Sequence, residues 1–319
     1  MVALHLSRSR RRVWWISLLL VAVSLAGLAL SWTNPSIKAP LRPGLDFTGG
    51  TQIQLERQCL GSCSPLQALQ VQKLLQAASI SPDGPVAAPS LDSARVQILD
   101  GGKSLALRMP ALSAAQSQEV ITAVTPLAGP FEAKGQLVDT IGPSLGGQLL
   151  VSSLVSLLVA FAGIALYISV RYDGRYAVLA LLALAHDVII VCGIFAWLGL
   201  AIGLEVDSLF AVALLTIAGY SVNDTVVVFD RIRERQREDA ELPITDQVDR
   251  AVTATLTRTL YTSGTTLMPL IALILFGGST LFWFAIALAL GVIVGSWSSI
   301  ALAPSLLMIW GRSRSAAGV

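Results

Sequence analysis

Charge is what this 319-residue sequence has least of. Asp, Glu, Lys and Arg make up 13% of it against 54% for hydrophobic residues, and mean hydropathy is +0.69. A water-soluble domain carries about a quarter charged residues, so a surface this poor in charge must lie largely in lipid. Histidine is nearly absent: His5 and His186 are the pair, too few for a His-rich metal cluster. Three cysteines are too few for a disulfide-dense scaffold or a four-cysteine metal site. The zinc-protease pattern H-E-x-x-H and the Walker A loop are missing. These absences leave little for an enzyme, a metal or a cofactor, and a net charge of +2 gives no case for nucleic acid.

What is present is long apolar sequence. A spanning helix needs roughly 20 mostly apolar residues, and six stretches qualify: Val13–Trp32, Leu149–Val170, Tyr176–Leu200, Ser208–Phe229, Thr259–Phe276 and Leu281–Trp310. The first follows Arg8, Arg10, Arg11 and Arg12, as the core of a signal peptide would. Its apolar run exceeds the roughly 7–15 residues of a signal and no A-x-A site follows, so it reads as a retained anchor. Arg171, Arg175, the Arg231–Arg237 run, Arg250, Arg258, Arg312 and Arg314 share a side with the N-terminal cluster. The short connections Ala201–Asp207 and Gly277–Thr280, on the other side, carry no Lys or Arg. The positive-inside rule then places residues 1–12 and 311–319 in the cytoplasm.

Residues 33–147, between the first and second spans, are expected to form an extracytoplasmic domain. Gln52–Leu55 alternates like a strand, and Pro65–Ala78 spaces its leucines like a helix. Ser81–Ser90 reads as a loop. Ala94–Leu99 and Lys103–Met109 flank Asp100-Gly101-Gly102, a hairpin signal. A helix over Ser113–Leu127 and a strand over Phe131–Val138 complete a β-α-β-β-α-β order, that of a small α+β ferredoxin-like domain. If this domain faces an oxidising compartment, Cys59 and Cys63 can form a disulfide.

Charge inside a span costs roughly 2.5–3.5 kcal/mol on insertion scales and usually faces the bundle interior. Asp187 follows His186 in the third span, and Asp224 lies in the fourth, with Ser221 on its face and Asn223 beside it. Asp224 sits six residues before Asp230, or about 9 Å below the Arg-rich end at 1.5 Å per residue. Arg258 opens the fifth span, followed by Thr259, Thr262 and Ser263. The fourth and fifth spans are antiparallel, so Asp224 and Arg258 can reach similar depths and pair. The plainer readings are a structural hydrogen bond for Asp224, snorkelling for Arg258 and a structural role for His186 and Asp187. After the fourth span, Asp230–Glu238 continues the helix with Asp230–Arg233 and Glu234–Arg237 at i,i+3, as a solvated end or a docking surface. In the sixth span Gly291, Gly295, Ser296, Ser298 and Ser299 form a small-residue run suited to close helix contact, with a partner bundle or, on the plainer reading, within the chain.

At these residues the sequence resembles a known family. Gly44-Leu45-Asp46-Phe47-Thr48-Gly49-Gly50-Thr51 is similar to the signature that opens the periplasmic domain of SecF-type protein-export membrane proteins. GYSVNDTVVVFDRIRE (Gly219–Glu234), AHDVII (Ala185–Ile190), RTLYTSGTTLM (Arg258–Met268) and FGG (Phe276–Gly278) match in order. The resemblance implies a half of resistance-nodulation-division type, with six spans and a domain between the first two. It implies a proton-motive-force-driven accessory of the Sec translocon that promotes preprotein translocation, without a cofactor. Implied partners are SecD, then SecY, SecE, SecG and SecA indirectly, the preprotein and membrane lipid. The implied location is a bacterial inner membrane, or a thylakoid membrane in a cyanobacterium. The family's functional span 4 Asp and span 5 Arg fall on Asp224 and Arg258, and its turn on Asp46, Gly49 and Gly50. The Cys59–Cys63 segment, the Ser81–Ser90 loop and Pro269, a candidate kink, depart from the pattern. A solute exporter would need two such halves. An intramembrane aspartyl protease would need glycine where Asn223 stands.

Overall fold

The computed structural model describes residues 5–59, 63–83 and 89–310. The middle of the Ser81–Ser90 loop, the tip of the Cys59–Cys63 segment, and Arg312 and Arg314 with the C-terminus lie outside the described residues. The chain divides into two compact units, Pro43–Ser152 and Met1–Arg42 with Ser153–Val319.

The smaller unit carries the expected order. A short helix α2 (Leu45–Thr48) leads into β1 (Gly50–Arg57), followed by α3 (Ala68–Ala77), β2 (Arg95–Leu99), β3 (Ser104–Met109), α4 (Ala114–Ala128) and β4 (Phe131–Ile141). The sheet is antiparallel in the order β2-β3-β1-β4, the ferredoxin-like arrangement. Alternation sets its core face: Ile53 pairs with Leu107 and Leu55 with Leu105, all buried. Val71 and Leu75 of α3 and Val120 and Val124 of α4 join them in one core. Ser113 caps α4 through a reciprocal box with Gln116, satisfying two otherwise unpaired amides. The β2–β3 turn uses Gly101 and Gly102, both at positive φ. Two strands run longer than their sequence pattern: β1 covers Gly50–Arg57 rather than Gln52–Leu55, and β4 reaches Ile141 rather than Val138. Backbone pairing with β1 carries it beyond the apolar alternation.

Arg57 ends β1 inside this unit, 7% exposed. It donates from Nε to the Ala128 carbonyl (2.7 Å), from Nη1 to the Gly102 and Ser64 carbonyls (2.8 and 3.0 Å), and from Nη2 to the Ser64 hydroxyl (2.9 Å). A buried guanidinium needs such donors filled, and here they tie two loops and the end of α4 to one strand. Nearby, Cys59 and Cys63 form a disulfide.

The larger unit is helical. Among the described residues six helical segments are long and apolar enough to cross a membrane. They are α1 (Leu6–Thr33), α5 (Pro143–Arg171), α6 (Gly174–Ile202), α7 (Ser208–Glu238), α8 (Ile244–Phe276), and a last span in three pieces: α9 (Gly278–Trp297), a π-helical segment (Ser298–Leu302) and α10 (Ala303–Trp310). Every span is longer than its apolar run. α1 begins at Leu6, where Ser7 donates through its amide and hydroxyl to the buried Asp249 carboxylate of α8 (3.0 and 2.6 Å). α7 continues through the charged run to Glu238. Its i,i+3 pairs are Arg231–Glu234 and Arg235–Glu238, not Asp230–Arg233 and Glu234–Arg237. Asp230 turns to Arg171 instead, at 3.5 Å. Beside that pair Tyr172 stacks under the Arg171 and Arg233 guanidinium groups. Burial and the Asp230 carboxylate push its hydroxyl up to about 12, so it stays neutral. α8 runs through Pro269 as one continuous helix.

Candidate functional site

The centre of the helical unit is a polar layer shared by α6, α7, α8 and the last span. Asp187 of α6 is fully buried. Its Oδ1 meets His186 Nδ1 at 2.8 Å, and its Oδ2 accepts from Ser221 Oγ of α7 (2.6 Å) and Ser298 Oγ (2.7 Å). Ser298 belongs to the π-helical segment, where the Ala303 amide reaches back to the Ser298 carbonyl. Single π turns in α-helices often mark functional positions, and this one brings a hydroxyl to Asp187.

A second track joins α7, α8 and α9. Tyr220 Oη donates to Ser263 Oγ (3.3 Å), which shares a proton contact with Ser296 Oγ at 2.5 Å. One turn further along both antiparallel helices stand Asp224 and Thr259, 4% and 1% exposed. Asp224 Oδ2 and Thr259 Oγ1 are buried without a hydrogen-bond partner, as is His186 Nε2. A buried polar atom left unpaired costs about 1–3 kcal/mol. Asp224 therefore differs from Asp187: one carboxylate is saturated by donors, the other is held ready for a partner.

Arg258 is exposed on α8. Its charge acts on Asp224 through space, but no ion pair of 4.0 Å or less joins them among the described residues. Ser221 sits in the layer as a donor to Asp187. Asn223 points away from Asp224, exposed on α7, and Thr262 is half-buried with its hydroxyl donated to the Arg258 carbonyl (2.9 Å). The small-residue run of the last span packs within the chain. A Cβ on Gly291 would stand 2.2 Å from Ile217 Cγ1, and one on Gly295 would contact Ser221 and Asp187. Of the two readings of that run, packing within the chain is the one seen, with Gly291 and Gly295 against α7. Ser298 was legible only as part of that run; three serines within four residues of an apolar span are the signal that it has a polar neighbour. Asp46, Gly49 and Gly50 lie apart, at the start of the sheet. Gly50 opens β1 at φ +123°, where a Cβ would stand 2.6 Å from the Met109 carbonyl.

Residues 121–313 match the family described as Protein export membrane protein SecD/SecF, C-terminal. Over 305 residues the chain is 58% identical to a protein of Prochlorococcus marinus named Protein translocase subunit SecF, covering 96% of this chain and 94% of that one. The chain belongs to the SecD/SecF family. The SecD/SecF GG motif matches residues 37–59, the stretch that holds Asp46, Gly49 and Gly50. A SecF subunit of Synechocystis is 40% identical over 312 residues, covering 98% of this chain and 96% of that protein. Among solved structures, SecDF of Thermus thermophilus, described as a translocon-associated membrane protein, matches with a TM-score of 0.77 at 31% identity. That match covers 95% of this chain, which spans 38% of the SecDF chain. The whole polar layer falls inside the region that the SecD/SecF C-terminal match covers.

Proposed function

We propose that this multi-pass membrane protein is the SecF half of a SecD–SecF accessory that uses the proton motive force to promote preprotein translocation. Its translocase role would bring it beside SecY, SecE and SecG, and SecA indirectly. The observation that carries the reading is Asp224: a carboxyl 4% exposed, with an unpartnered oxygen, in the helical core of a family member. Taking up a proton there removes a charge facing the Arg258 field. Releasing it restores the charge. Each protonation state favours a different approach of α7 to α8, and the hydroxyls of Thr259, Ser263 and Tyr220 are placed to re-pair as the helices shift. One charge crossing the membrane supplies about 2.3 kcal/mol per 100 mV, enough to bias a two-state rearrangement.

A missing half is supported by what α7 leaves bare. Val212, Thr216, Gly219 and Asn223 recur at helical spacing and are exposed, and a Cβ on Gly219 would meet nothing within 4 Å. Small residues on a spanning helix admit a second helix closely. The Arg-rich ends support a cytoplasmic side for both termini, and the Cys59–Cys63 disulfide supports an oxidising side for the smaller unit. The test is translocation into vesicles containing this chain with or without a SecD partner. Stimulation is expected only with both, and Gly219→Leu is expected to insert stably yet lose co-isolation with SecD. Equal stimulation by this chain alone would remove the two-part reading.

A further inference from the structure

A groove of about 620 Å³ lies between α1 and the end of the last span. Its mouth is Arg11, and along α1 its wall continues through Trp15 and Leu18 to Val21; Leu306 and Ile309 face them, and His186 lines it too. Size alone places it among ligand sites, which run roughly 300–1,000 Å³. The lining is almost wholly apolar, and two of its polar groups on the α1 side, Trp14 and Ser17, are already engaged. Ser17 Oγ accepts from Trp297 Nε1 at 3.2 Å, and Trp14 Nε1 donates to Ser305 Oγ at 2.9 Å. Arg11 is exposed and, among the described residues, has no carboxylate within 4.0 Å.

We infer that this groove binds one anionic phospholipid, its phosphate on Arg11 and one acyl chain along α1. Charge and length both point to that occupant. An unpaired guanidinium at the mouth of an apolar slot complements a phosphate in the headgroup layer, with Trp14 and Trp15 at the depth where indoles anchor. Ten residues separate Arg11 from Val21, or about 15 Å at 1.5 Å per residue. That is the hydrocarbon depth of one leaflet, half of the roughly 30 Å core. A partner's spanning helix would call for a groove twice as long.

The test uses the full chain reconstituted in vesicles of equal phosphatidylglycerol and phosphatidylcholine, then released for native mass spectrometry. The expected result is a one-lipid adduct enriched in phosphatidylglycerol. Arg11→Gln is expected to reduce it about fivefold, the effect of one arginine at an anionic surface. Leu18→Trp is expected to abolish it by filling the slot, while Arg8→Gln, which is not at the groove, leaves it unchanged. Thermal unfolding of each variant identifies any that fails to fold. An adduct indifferent to Arg11→Gln and Leu18→Trp in folded protein overturns the inference. So does an unchanged adduct while Leu18→Trp abolishes co-isolation of a partner chain, because the groove then holds a helix.

Discussion

Two buried aspartates one helix apart have opposite surroundings. Asp187 accepts from Ser221 and Ser298 and meets His186, so removing it takes a partner from all three, Ser298 keeping only the Gly295 carbonyl. Asp187→Ala should lower stability by about 3 kcal/mol, read as thermal unfolding in detergent, and Ser298→Ala by about 1 kcal/mol. A smaller loss for Asp187→Ala than for Ser298→Ala would mean the network does not hold α6 to the last span. Gly50 is constrained by both its positive φ and the Met109 carbonyl 2.6 Å from its missing Cβ. Gly50→Val should make the smaller unit sensitive to limited proteolysis; unchanged resistance would show that β1 can start elsewhere.

Helices and strands followed from pattern where one face is buried, and departed from it where a neighbour overrides the pattern. The order β-α-β-β-α-β was legible because Ile53, Leu55, Leu105 and Leu107 alternate and Gly101-Gly102 punctuates them. Six spans were legible from length and hydropathy alone. The π-helical segment was not: nothing in Ser298–Leu302 differs locally from an α-helix, and the turn widens where Ser298 reaches Asp187 on another helix. The ion pairs of α7 were also misassigned, because Arg171 of α5 takes up Asp230 and shifts the register of the rest. Close packing of α9 on α7 rests on Gly291 against Ile217. Gly291→Leu should destabilise the helical unit by roughly 1–3 kcal/mol through overpacking, and Ile217→Ala should recover part of that. No recovery in the double variant, read by thermal unfolding, would place the clash elsewhere.

For the molecule as a whole, Asp224 and Arg258 could be singled out in the sequence because charge in a span is rare and because the family resemblance fell on them. Their geometry could not. Depth along each helix put them at similar levels, but side-chain direction left Arg258 exposed and Asp224 beside Thr259 with an oxygen unpaired. With that oxygen unpaired, replacing the Asp224 carboxylate by an amide is expected to cost little stability. The most direct measurement is therefore preprotein translocation into vesicles holding Asp224→Asn together with SecD, under an imposed proton gradient. The account predicts normal insertion, thermal stability within about 1 kcal/mol of the parent, and loss of the stimulation that a proton gradient gives. Full stimulation by Asp224→Asn that still collapses when an uncoupler is added would contradict it, for the proton would then be crossing without this carboxyl.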